Sequence, residues 1–203
     1  MKKALLLKTT LALALATPLL ASAESQLVTA GNAQAALDFR VIIPRVLFLG
    51  VGAGALTVPP VNNTSVNLVT FDYTTNPGAV GAGAGSPAAV ITGAVVPVRV
   101  VGNNGQIVLT AATVGALSNG VPGETIPWTQ ITATSSLAAL PSPVIPASGT
   151  GAGSNVTLSS GTKITDRTAD WTFSYANTAV VPAGTYGAIV ANNSRVTYTA
   201  TMP

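Results

Sequence analysis

Asp166 and Asp170 flank Arg167 and lead directly into Trp171. Two carboxylates so close in sequence are the residue types a glycosidase uses as acid and base, and the same pair offers hard oxygen ligands to Ca²⁺. Neither chemistry is well supported by what surrounds them. No dense Asp/Asn/Gly loop of the calcium-binding spacing follows, and the charges read as one polar turn before a strand. In such a turn Asp side chains accept bonds from backbone amides and stay solvated. The chain has no His and no Cys, which removes Ser-His-Asp and Cys-His nucleophiles, imidazole bases and the usual transition-metal ligands. The glycine-rich residues 81–85 lack the Lys-Ser/Thr continuation and following helix of a phosphate loop. Trp128 and Trp171 have faces that stack on sugars, but one indole per strand reads better as a core anchor. The expectation is a protein without catalytic, cofactor or metal residues, hence not an enzyme.

The first residues say where such a protein works. Lys2 and Lys3 precede a short apolar run that ends in Ala21-Ser22-Ala23, the three parts of a secretory signal peptide over residues 1–23. The run is too short for a spanning helix, and no later stretch approaches one, so no integral membrane segment is expected in the mature chain. Cleavage would remove Lys2, Lys3 and Lys8, leaving six basic against six acidic residues. The formal charge of +3 thus belongs to the removed segment, and no footprint for nucleic acid remains. An exported chain without cysteine must hold together by burial and backbone pairing alone.

The elements follow from composition. Val, Thr and Ile dominate, good helix formers are scarce, and Gly or Pro interrupts most windows, which favours strands and turns. Leu37, Phe39, Val41 and Ile43 alternate with Asp38 and Arg40, and the pattern continues into residues 46–49, apolar on both faces and expected at the centre of a sheet. Residues 66–73 predict a second strand with Val66 and Leu68 inward. Residues 95–101 and 106–113, joined through Gly102-Asn103-Asn104-Gly105, predict a hairpin, with Pro97 placing its first arm at an edge or bulge. Residues 125–131 and 171–175 supply two more strands. Val196, Tyr198, Ala200 and Met202 alternate with Thr197, Thr199 and Thr201 in the last one. About seven to nine short strands predict an all-β antiparallel sandwich. Ten aromatic residues are too few to belt a membrane barrel. Within a domain of residues 37–203, two aperiodic stretches, 78–87 and 135–154, are expected as long surface loops.

Residues 180–186, Val-Val-Pro-Ala-Gly-Thr-Tyr, feed the alternating residues 195–201. This closing turn and strand, with Gly184, Tyr186, Val196 and Tyr198, resembles that of bacterial pilin-like subunits, and in particular of the cysteine-poor fimbrial and spore-coat-U-like families. Tyr186 also resembles the tyrosine corner of immunoglobulin-like sandwiches. Residues 98–109, Leu117-Ser118-Asn119-Gly120 and Ile126-Pro127-Trp128 are similar to the middle of such subunits.

The resemblance implies an immunoglobulin-like β-sandwich and a structural or adhesive surface protein. It also implies assembly by β-strand addition, a neighbour's N-terminal extension filling a groove. Residues 24–36 are the candidate donor strand, with Leu27 and Thr29 in it. Implied partners are copies of the chain or related subunits, with a periplasmic chaperone and an usher. The implied location is the periplasm, cell surface or an extracellular filament of a Gram-negative-type bacterium. Turn chemistry at Asn192-Asn193 predicts instead that the chain closes with its own hairpin. A complete sandwich of that kind would be a monomeric extracellular module binding carbohydrate or matrix, and that is the alternative function.

Overall fold

The structure, a computed structural model, describes residues 25–86, 88 and 90–203; the signal peptide assigned to residues 1–23 lies outside the described residues. The chain divides into two units, Met1–Ile43 and Pro44–Pro203. The described part of the first contains no strand or helix, and all but one of its residues are exposed. Residues 37–43, expected to open the sandwich, are therefore not a strand here. Alternation makes a strand only when a ladder partner satisfies the backbone, and the compact unit begins at Pro44 instead.

The second unit is all-β. In chain order its strands are β1 (Leu47–Val51), β2 (Thr70–Asp72), β3 (Val90–Thr92), β4 (Val95–Gly102), β5 (Ile107–Thr113) and β6 (Leu117–Ser118). They continue with β7 (Thr125–Ile126), β8 (Ile131–Ser135), β9 (Gly149–Thr150), β10 (Ser154–Val156), β11 (Thr165–Tyr175) and β12 (Thr197–Thr201). One sheet has the order β1-β4-β11-β8 and a second the order β10-β5-β12, with β9 also paired to β5; β2-β3 and β6-β7 form two small ribbons. Every ladder is antiparallel.

Period-two patterning explains the core. Val96, Val98 and Val100 of β4 and Ile107, Leu109 and Ala111 of β5 are buried, while the residues between them are only partly covered. Ala169 and Trp171 of β11, Val156, Leu140 and Met202 complete one apolar cluster drawn from both main sheets. This shared interior fits a β-sandwich, in which inner-face side chains interdigitate.

Several local expectations are corrected. The chain from β4 to β5 is no hairpin, because the two strands belong to different sheets and residues 103–106 carry the chain across between them. Pro97 lies in a central strand and not at an edge. Its C=O accepts from Gly52 N–H just past the end of β1, so the amide it lacks would face a position where β1 has already ended. β1 is conversely an edge strand rather than a central one. Val66 and Leu68 lie outside β2 and are exposed, while Phe71 and Tyr73 of that predicted strand are half-buried, their rings beside that of Tyr175.

Both predicted surface loops are more firmly built than their composition suggests. Within residues 135–154, Leu140 is fully buried, its C=O accepts from the Trp171 indole at 3.3 Å, and β9 adds to β5. Residues 78–86 are fastened by buried Asn177. Its side chain donates to Ala79 C=O at 2.6 Å and Ser86 C=O at 3.3 Å and accepts from Gly81 N–H at 2.8 Å.

Candidate functional site

Asp166 and Asp170 are not in a turn; they project from the exposed side of β11. Four residues along a strand separate them by about 13 Å, beyond the roughly 5–9.5 Å that glycosidase carboxylate pairs require. Asp166 instead takes a two-pronged contact from Arg99 on β4, Nε to Oδ1 and Nη2 to Oδ2 both at 3.1 Å. Arg167 donates to the carbonyls of Thr157 and Leu158. The charges tie strands together and do not converge. No group of three or more acidic residues is placed to hold a metal among the described residues.

Both indoles are buried. Trp128 sits in a short 3₁₀ turn, Trp128–Gln130, that interrupts the strand predicted over residues 125–131, and donates to Gly115 C=O at 2.7 Å. Trp171 stands at the centre of the core, its ring 5.0 Å from that of Tyr198. Neither offers a free face to a sugar. Tyr186 Oη donates to the C=O of Pro182, four residues upstream, at 2.9 Å. Burial raises the Tyr186 pKa, with Glu124 adding to the rise. Gly184 is crowded, since a Cβ there would lie 2.9 Å from the Asn119 side chain. Val196 and Tyr198 are half-buried and alternate with exposed Thr197 and Thr199, as the pattern predicts. Leu27 and Thr29 are exposed and in no strand.

The hairpin expected around Asn192-Asn193 does not form. Val190–Asn192 is a 3₁₀ turn ended by Asn193 at φ 56°, and residues 187–190 pair with nothing alongside β12. The physical reason is a pair of contacts distant in sequence. Asn193 donates to Ala116 C=O and Gly187 N–H to Ser118 C=O, so the segment is bound near β6. β12 therefore keeps an unpaired edge among the described residues.

That edge lies beside another. Cα atoms of β1 and β12 approach within 8 Å, yet no ladder joins them. Val46 C=O accepts from Asn103 N–H and Gly52 N–H donates to Pro97 C=O, so by antiparallel alternation the backbone groups of Leu47, Leu49 and Val51 point away from β4. On β5, Ala111 C=O accepts from Gly151 N–H. Its alternate residues Val108, Thr110 and Ala112 thus bond Thr201, Thr199 and Thr197, leaving the backbone of Tyr198 and Ala200 facing outward. Leu49, Val51, Tyr198 and Ala200 are only partly buried against the core. The result is an apolar seam bordered by two rows of backbone donors and acceptors that no ladder pairs among the described residues.

One end of this seam, where β1 begins and β12 finishes, is fixed by the crossing between β4 and β5. Asn103 Oδ1 accepts from Val46 N–H and its Nδ2 donates to Pro44 C=O, both at 2.8 Å. Asn104 Nδ2 donates to Pro203 C=O, and Arg45 reaches Met202 C=O at 2.6 Å. On the opposite side, Ser136 N–H bonds Asp170 C=O and Thr157 N–H bonds Ala139 C=O, so the 136–157 connection ties the β8 and β10 sides together. No protein-family model matches this chain, and no curated protein or solved structure matches it either.

Proposed function

We propose that this chain is an exported, pilin-like structural subunit that assembles at the bacterial surface by accepting a β-strand along the open edge of β12, on the side that faces β1. The observation that carries the proposal is the pair of adjacent, unpaired strand edges over half-buried apolar side chains. Strand addition needs these two features together, main-chain groups for affinity and alternating pockets for side chains. An exposed edge is otherwise a liability that proteins cover or charge, and neither β1 nor β12 carries a charged residue.

Strand order supports an immunoglobulin-like reading of the same site. The order β1-β4-β11-β8 corresponds to A-B-E-D of that fold, and β5-β12 to C-F. The strand with no counterpart is G, whose place is beside β12. Tyr186 lies in the β11–β12 connection, where the tyrosine corner of such folds occurs, and its hydroxyl returns to upstream backbone.

The test is the oligomeric state of the chain as processed and exported by a bacterial host. Unheated denaturing gels should show a ladder of regularly spaced oligomers that collapses to one band on boiling. A single monomeric species at every concentration, together with saturable binding to a glycan array, would replace this reading with that of a monomeric binding module.

A further inference from the structure

We infer that Asn119 is a site of spontaneous covalent modification, closing on the Gly120 nitrogen to a succinimide that opens to aspartate or isoaspartate, while Asn104 is spared. The chain contains two Asn-Gly pairs, Asn104-Gly105 and Asn119-Gly120. Glycine has no Cβ to shield its nitrogen, so local sequence leaves both pairs similarly open to the reaction. Their surroundings differ. Asn119 Oδ1 accepts from Val121 N–H at 2.9 Å, a donor placed to hold the negative charge that develops on that oxygen when its carbon is attacked. Asn119 Nδ2, the leaving group, donates to the Glu124 carboxylate at 2.5 Å. Gly120 N–H, which must lose its proton, donates to Ser118 Oγ at 2.9 Å. A hydroxyl and a carboxylate both exchange protons, and each touches one of the two nitrogens between which a proton must move.

Water is the one co-reactant the step requires. Gly120 N bonds to Asn119 Cγ, the Cγ–Nδ2 bond breaks, and the proton lost from Gly120 leaves on ammonia. Water then opens the ring at either carbonyl. One opening gives aspartate, and the other gives isoaspartate, with the backbone rerouted through the side chain. Gly120 is exposed, so water reaches it. Asn104 lacks the same arrangement. Among the described residues it has its N–H on Met202 Sδ and its Nδ2 on Pro203, but no donor at Oδ1. Gly105 N–H donates to Lys163 C=O at 3.1 Å, an acceptor that takes up no proton near neutral pH. Conversion of Asn119 also has a structural consequence. A Cβ at Gly184 would lie 2.9 Å from Asn119 Nδ2, so this side chain lies directly against the turn at residues 182–186. A carboxylate in place of the amide would face Glu124 with no donor between them. That like-charge contact loosens the turn from the β6–β7 ribbon.

The test incubates the full chain at mildly alkaline pH and follows peptide masses at both Asn-Gly pairs. The folded protein should convert Asn119 at least about tenfold faster than Asn104, a small part of the ~10²–10⁴ that positioned acid–base groups supply. In guanidinium chloride the two should convert at similar rates, because only local sequence then acts. Glu124→Gln and Ser118→Ala should each slow Asn119 in the folded protein and leave its rate in denaturant unchanged. If either variant fails to fold, the comparison of Asn119 with Asn104 in the unsubstituted chain still decides. Equal rates in the folded protein, or faster conversion of Asn104, would overturn the inference. So would faster conversion in Glu124→Gln, which would make the Glu124 contact a brake. The converted fraction should show faster hydrogen exchange at Gly187, whose N–H donates to Ser118 C=O. Unchanged exchange there would overturn the loosening and leave the modification site standing.

Discussion

The ring of Trp171 on β11 meets the ring of Tyr198 on β12 at 5.0 Å between centroids and 59° between planes, joining one main sheet to the other at the rim of the seam. Trp171 is fully buried and donates to Leu140 C=O, so a single indole touches both sheets and the 136–157 connection. Trp171→Ala should therefore destabilise the second unit by about 3–5 kcal/mol, the usual cost of emptying a large aromatic site. Urea unfolding followed by far-ultraviolet circular dichroism checks this. A loss below 1 kcal/mol would mean that the sheets do not depend on this contact.

Tyr198 has a second property. Its hydroxyl is buried without a hydrogen-bond partner, and burial raises its pKa strongly. A raised folded-state value means that stability is fully present below the unfolded pKa of about 10 and falls as the pH climbs above it. Tyr73, Tyr175 and Tyr186 are raised as well, burial being the first cause in each, but they are much less enclosed. Tyr198→Phe should leave neutral-pH stability unchanged or slightly higher, because an unsatisfied hydroxyl is removed. It should also flatten most of the alkaline decline in urea midpoint between pH 9 and 11.5. An equal decline in both proteins would assign the effect elsewhere.

Asn177 is a loop anchor whose φ of 51° lies in the left-handed region, where Asn is better tolerated than most residues. Asn177→Ala removes three side-chain hydrogen bonds and strains the backbone. A loss of roughly 2–4 kcal/mol is expected. Asn177→Gly keeps the backbone conformation, so it should lose less. Hydrogen exchange at Gly81 and Ala82 should accelerate in both variants. Unchanged protection there would show that the loop is held by something else.

What could be read in advance, and what could not, divides along physical lines. The alternation in Val96-Pro97-Val98-Arg99-Val100 and in Tyr198-Thr199-Ala200 is a property of single strands, and it located β4 and β12 and their inward faces. The partners of those strands were not legible. Gly102-Asn103-Asn104-Gly105 has the chemistry of a tight hairpin, but Asn103 and Asn104 spend their side chains on Pro44, Val46 and Pro203, contacts made by residues far away in sequence. Leu140 lies in an aperiodic stretch and Asn177 acts on residues more than ninety positions distant, so neither leaves a local signal. The open seam is the sharpest example. It arises because Asn193 and Gly187 are bound near β6, and turn propensity alone pointed to a closing hairpin.

Arg99 and Asp166 give a prediction of small size. The guanidinium is 14% exposed and the carboxylate 53%, so water screens much of the attraction. Asp166→Asn should cost less than about 1 kcal/mol, and the difference should shrink further in high salt. No hydrolytic activity on glycan substrates should depend on it. A turnover abolished by this substitution would revive a catalytic role for β11.

The two edges of β12 can be told apart with proline. Its ring removes one amide hydrogen and leaves the carbonyl, so its cost depends on which way that hydrogen points. Thr199 pairs toward β5, and Thr199→Pro should break a ladder bond and destabilise the monomer by about 3 kcal/mol or more. Ala200 presents its amide to the seam, so Ala200→Pro should be tolerated much better by the folded monomer, at a cost nearer 1 kcal/mol. If the seam receives a strand, that same substitution removes a donor the incoming backbone needs, and the oligomer ladder should weaken or vanish although the monomer remains folded. Measuring the urea midpoint and the unheated gel on the same two variants separates fold from assembly. Equal destabilisation by both prolines would mean that Ala200 bonds β5 and that the seam is not an open edge.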